Sequence, residues 1–158
     1  MTEWELLLAV VVFGLVIFAV FLLMGTAICG KIFWTTPHLG YYLSNMAVMI
    51  LVSLSLSYVI AMLANGPEAL SGIVNSISLG MSFLCGVFVP LEVLGEGVKS
   101  AAHFLPFYWY ERANLMLTEF PALSHSQLTE FLGFLGIQAA FAVAFLSLGA
   151  AIHKKKNT

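Results

Sequence analysis

The sequence predicts an all-α polytopic membrane protein: a single transmembrane domain, 1–158, of four transmembrane helices, with a re-entrant helical hairpin on the outer side between the third and fourth. Three observations predict it. Of 158 residues, 61% are hydrophobic and only 9% charged, against roughly 45–50% and about 25% in soluble domains. Mean hydropathy is +0.99, and a soluble domain could not hide that much apolar surface, because folding buries only about 70% of it at roughly 150 residues. Long stretches free of Asp, Glu, Lys and Arg recur, and a bilayer core about 30 Å thick needs roughly 20 apolar residues in a helix.

The first span is placed at 6–29. Its core, 6–24, holds only Leu, Ala, Val, Phe, Gly, Ile and Met. The second, 41–64, follows the punctuation of Pro37 and Gly40. It is more polar, with Ser44, Asn45, Ser53, Ser55, Ser57 and Tyr58. Such groups rarely face lipid and often bond to neighbouring helices. The third, 69–90, is closed by Pro90 and carries Gly72, Ser76 and Gly80 at four-residue spacing, with Ser78, Ser82 and Gly86 on a second line. Small residues at that spacing let helices approach closely, either within one bundle or at a dimer face or pathway lining. The fourth, 131–152, runs into His153-Lys154-Lys155-Lys156. A lysine cluster directly after a span marks a cytoplasmic end. An even number of spans then places both termini in the cytoplasm.

Between the last two spans, Val93, Leu94, Val98, Ala101, Ala102 and Leu105 recur at helical spacing up to Pro106, which predicts a short amphipathic helix ending there. The aromatic run Phe107-Tyr108-Trp109-Tyr110 follows, suited to the headgroup layer. Leu115, Met116, Leu117 and Phe120 continue the apolar character to Pro121. Two short helices turning near Pro106, a hairpin over 92–120, are expected to dip into the membrane from outside.

The charge pattern excludes several functions. Net charge is −2 and every acid is Glu, so there is no basic stripe for nucleic acid. The eight glutamates fall in the tails or between spans, so the intramembrane carboxylate of a proton-coupled exporter is not expected. His38, His103, His125 and His153 lack metal-ligand spacing, and no metal site is expected. No Gly-x-Ser-x-Gly elbow and no Gly-x-x-x-x-Gly-Lys-Ser/Thr loop occurs, so neither that hydrolase chemistry nor ATP hydrolysis is expected of this chain. Cys29 and Cys85 read as packing residues, with a redox pair as the lesser alternative. Glu111-Arg112 reads as an interfacial charge pair or as a polar element of an outer gate.

From Asn65 onward the residues resemble a known family. Asn65-Gly66-Pro67-Glu68-Ala69 leads into the third span, which ends Phe83-Leu84-Cys85-Gly86-Val87-Phe88-Val89-Pro90-Leu91-Glu92. Phe104-Leu105-Pro106-Phe107-Tyr108 and Glu111-Arg112-Ala113 follow. This resembles the C-terminal half of the membrane subunit of type-2 ATP-binding-cassette (ABC) exporters, in which a cytoplasmic loop with a similar Pro-Glu pair joins two spans, the following span closes with Gly-x-x-x-Pro, and a re-entrant outer hairpin carries a Leu-Pro before the last span. Leu94-Gly95 stands where family members commonly have a second proline, and the first two of six spans have no counterpart here. The resemblance implies a permease subunit for ATP-driven export, paired with a second permease copy or homologue and a separate ATPase that holds ATP and Mg²⁺. It implies that Pro67 and Glu68 face the ATPase and that Pro90, Glu92, Pro106, Glu111 and Arg112 shape the outer gate. Ser53, Ser57 and Tyr58 are then candidates for the path, unless their hydroxyls bond back to helix carbonyls. So few charges suit amphipathic or apolar cargo, in a cell-membrane protein surrounded by lipid. The alternative is a non-transport scaffold or assembly protein derived from such a permease.

Overall fold

A computed structural model describes residues 3–86, 88–89, 93–120 and 122–156, with residues 3–7, 10 and 156 described by backbone alone. These residues form helices and no strand: α1 (Glu3–Cys29), α2 (Lys31–Thr35), α3 (Leu39–Leu63), α4 (Pro67–Leu84), α5 (Glu96–Ala102), α6 (Pro106–Glu119) and α7 (His125–Lys156). Three stretches are long and apolar enough to cross a membrane: Val11–Cys29, Leu39–Leu63 and His125–Lys155.

The expected third span differs. α4 has 18 residues and stops at Leu84, and it is not among the three. Ser71, Asn75, Ser76, Ser78 and Ser82 dilute its apolar side chains, and the chain turns at Gly86, φ +96°. α7 also starts earlier than expected, at His125, because Ser124 caps it: the Ser124 hydroxyl and N–H both donate to Gln127 Oε1, at 2.9 and 2.8 Å. A short α2 between the first two spans was not expected at all.

The break at Pro106 is present. Proline is tolerated at the first position of a helix because that N–H has no intrahelical partner; accordingly α5 ends at Ala102 and Pro106 opens α6. Trp109 Nε1 donates to the His103 carbonyl at 3.0 Å, closing the turn between them.

α3 and α7 form the most extensive contact, and α6 packs against both. α3 and α7 run parallel. Tyr41 meets Phe131 edge-on at 5.4 Å, Asn45 bonds Gln138, Val52 clusters with Ala142, and Tyr58 covers Gly149. Gly149 has no side chain to spare there, since a Cβ would overlap the Tyr58 ring. α1 and α4 lie antiparallel to α3 on its other sides. Gly14 of α1 faces Ile50 and Leu54, while Leu8, Phe13, Leu23 and Ile28 are exposed, as on a lipid-facing helix.

Candidate functional site

The most buried polar groups converge where α3, α6 and α7 meet. Asn45 and Gln138 are fully buried. Gln138 Nε2 donates to Asn45 Oδ1 at 2.9 Å. Asn45 Nδ2 in turn donates to the Tyr110 carbonyl at 3.0 Å and to Asn114 Oδ1 at 2.9 Å. One assignment satisfies this arrangement. The Tyr110 carbonyl can only accept, so Asn45 presents its NH₂ to it; Asn45 Oδ1 then faces Gln138 and needs a donor there. Gln138 Oε1 is left buried and unpartnered among the described residues. Lipid offers no hydrogen bonds, so such amides are retained where protein meets them. At the other end of α6, His38 Nε2 lies 3.0 Å from the Phe120 carbonyl. The carbonyl accepts, so that ring nitrogen carries the proton.

α6 is therefore tied along the N-terminal half of α3 and not beyond its end. Phe107 and Tyr110 pack on Met49, Val52 and Ala142, about 15–20 Å into α3 from Leu39 at about 1.5 Å per residue. Phe107 also lines an open groove of about 100 Å³ between α3 and α4, together with Ser53, Ser57, Ile60, Val74, Ile77, Ser78 and Met81 among others. Ser55, on the opposite face, bonds back to the Leu51 carbonyl at 2.6 Å, whereas the hydroxyls of Ser53 and Ser57 make no hydrogen bond among the described residues. A larger cavity of about 280 Å³ between α1 and α3 is lined by Val11, Leu15, Phe18 and other apolar residues, and it offers no polar group for recognition.

The expected site residues separate into groups. Ser53 and Ser57 share the groove, but Tyr58 points to α7. Pro67 and Glu68 are exposed in the first turn of α4. Gly66 before them has φ +142°, a conformation L side chains rarely adopt. Pro106 is buried; Arg112, on the same helix, is exposed. Glu111 is half-buried, and burial pushes its carboxyl pKa up from its ordinary value. Glu111 and Arg112 form no ion pair with one another, because consecutive helical residues do not face each other. Pro90 and Glu92 lie outside the described residues. Cys29 is exposed and Cys85 is buried beside Ala102 and Tyr108, both as free thiols.

Sequence reasoning missed the amide cluster. Gln138 and Asn114 were not singled out, although Gln138 is the strongest polar group in the middle of an apolar helix. It also read Glu111 as lying between spans. Between spans in sequence, Glu111 nevertheless sits on a helix packed beside one.

The described residues are helical, and three of their helices are long and apolar enough to cross a membrane. The chain belongs to the ABC-2 type transporter family, whose model matches residues 2–120 of the 158. No curated protein and no solved structure matches it significantly. Membership makes it a transporter component, and the family works with an ABC ATPase.

Proposed function

We propose that the chain is the membrane subunit of an ATP-driven exporter and forms part of the translocation path for an amphipathic or apolar cargo. Family membership carries this reading. ATP and Mg²⁺ stay on a separate ATPase subunit, which docks at the loop around Pro67 and Glu68. A second permease copy or homologue covers the side that α4 leaves open. The path follows the α3–α4 groove past Ser53 and Ser57, which are free to bond cargo. Pro90, Glu92, Pro106, Glu111 and Arg112 form the outer gate, with α6 held by Asn45.

Both termini are cytoplasmic in a cell-membrane protein with four crossings. The parallel course of α3 and α7 supports this, since the chain between them has to return across the same thickness. α4 and a re-entrant hairpin provide the return. Closure of the ATPases drives the cycle by favouring one arrangement of the helices over another, and cargo leaves if it binds the two with different affinity.

The test is purification of the tagged full chain from its native membranes. An ATP-hydrolysing subunit is expected to copurify, and Glu68→Arg is expected to reduce its recovery while Glu119→Gln does not. Recovery of a non-ATPase partner alone, insensitive to Glu68→Arg, supports the scaffold alternative instead.

A further inference from the structure

Of the acids whose side chains are described, Glu111 alone is partly withdrawn from solvent, and no cation pairs with it among the described residues. Glu68, Glu96, Glu119 and Glu130 are exposed, and Glu96 pairs with Lys99 at 3.0 Å. Glu111 is half-buried and makes no hydrogen bond or ion pair among the described residues.

Its position makes that unusual. Glu111 lies one helical turn from Phe107, on the same flank of α6; Phe107 lines the α3–α4 groove, and Glu111 stands next to that lining and not in it. The preceding residue, Tyr110, is bonded through its carbonyl to Asn45, about 9 Å into α3 from Leu39 at about 1.5 Å per residue. The carboxylate therefore stands beside a helix long and apolar enough to cross the bilayer, and not past its end. A charge at that depth is costly unless an opposite charge reaches it, and an ionisable group there marks a ligand or ion path by default.

The groove itself carries no sign. Ser53, Ser57 and Ser78 offer hydroxyls, and the rest of its lining is apolar or aromatic. Its volume of about 100 Å³ seats a segment of a molecule, the remainder lying in the surrounding bilayer. Phe107 adds an aromatic ring that favours a nearby cation.

We propose that Glu111 is the counter-ion of this groove: it takes the cationic head of an amphipathic molecule whose apolar part lies against Phe107, Ile77 and Met81. The proposal rests on the permease reading of the groove and names the charge of what it carries. The cation belongs either to a cargo or to the amine of a bilayer lipid.

The test uses the full chain in bilayer discs and two probes of one shape and opposite charge, tetraphenylphosphonium and tetraphenylborate. Wild type is expected to bind the phosphonium saturably and the borate not at all. Glu111→Gln should weaken phosphonium binding about tenfold or more, Glu111→Asp should keep part of it, and Glu119→Gln should change nothing. Circular dichroism and the elution profile establish that Glu111→Gln is folded. Equal binding of both probes, no binding by wild type, or an unaltered Glu111→Gln overturns the proposal. Discs of phosphatidylglycerol, whose head carries no cation, with and without phosphatidylethanolamine identify the source. A loss of phosphonium affinity with the amine lipid in wild type but not in Glu111→Gln names the lipid; equal affinity names a cargo. Ser57→Phe separates the two readings. If it removes binding and Glu111→Gln does not, the groove stands and the counter-ion falls. If Glu111→Gln removes binding and Ser57→Phe does not, the counter-ion stands and the groove is not the path.

Discussion

Replacing Asn45 and replacing Gln138 are not equivalent changes, although each breaks the bond between them. Asn45→Leu leaves Gln138 Nε2, Asn114 Oδ1 and the Tyr110 carbonyl without the bond Asn45 made to each, while Gln138 Oε1 stays unpartnered. Buried groups stranded in this way should cost about 1–3 kcal/mol. Gln138→Leu strands Asn45 Oδ1 but also removes the already unpartnered Oε1, so the number of orphaned atoms does not rise. Its cost should stay below about 1 kcal/mol, in the range of interhelical hydrogen bonds in membranes. The double variant Asn45→Leu/Gln138→Leu should be more stable than Asn45→Leu alone. Unfolding in mixed detergent micelles measures all three, and a double variant no better than Asn45→Leu would remove the hub as a source of stability. The sequence makes Asn45 and Gln138 visible as polar residues in apolar helices. It does not reveal that they face one another, because that depends on how far α7 is rotated about its axis. Neither apolar stretch has a pronounced polar face to set the rotation.

Helix boundaries follow the same division between what is local and what is not. Pro106 is a local signal, and the break between α5 and α6 was legible from it. α4 was expected to be longer because apolar residues continue past Leu84, but the turn at Gly86 ends it. The docking of α6 beside α3 was not legible, since it rests on bonds between residues 65 and 69 positions apart. That is why Glu111 reads in the sequence as an interfacial charge or an element of an outer gate, and not as a group packed beside α3. Tyr58 shows the converse: it was a candidate for the path together with Ser53 and Ser57, but an α-helix advances 100° per residue and carries it round to α7. The close approach of α3 and α7 there gives a prediction at this scale. Gly149→Ala forces its Cβ into the Tyr58 ring, an overpacking that should cost about 1–3 kcal/mol. Tyr58→Leu in the same chain should recover most of that loss, while Tyr58→Leu alone should leave phosphonium binding at Glu111 unchanged. Thermal unfolding of the purified variants decides the first point. If the second substitution recovers nothing, the two helices do not meet at this pair.

At the scale of the molecule, the direction of each helix constrains its placement in a bilayer more than hydropathy does. Three helices pass on length and composition, and α4 does not. Yet α3 and α7 are parallel partners along much of their length, from Tyr41 and Phe131 to Tyr58 and Gly149. If both span, they enter from the same side, and the chain leaving α3 at Leu63 must reach that side again before His125. α4, antiparallel to α3, begins this return, and its serines and Asn75 are tolerable within a bilayer if another subunit or the path covers them. The prediction is read with cysteine reporters in a Cys29→Ser/Cys85→Ala background. Ser100→Cys, exposed on α5, should react with an impermeant maleimide in intact cells. Asn65→Cys and Thr158→Cys should react only after the membrane is opened. Labelling of Asn65→Cys together with Ser100→Cys would mean that α4 does not cross. The parallel pair would then have no return through the bilayer, and α3 or α7 would have to lie outside it in spite of its apolar length.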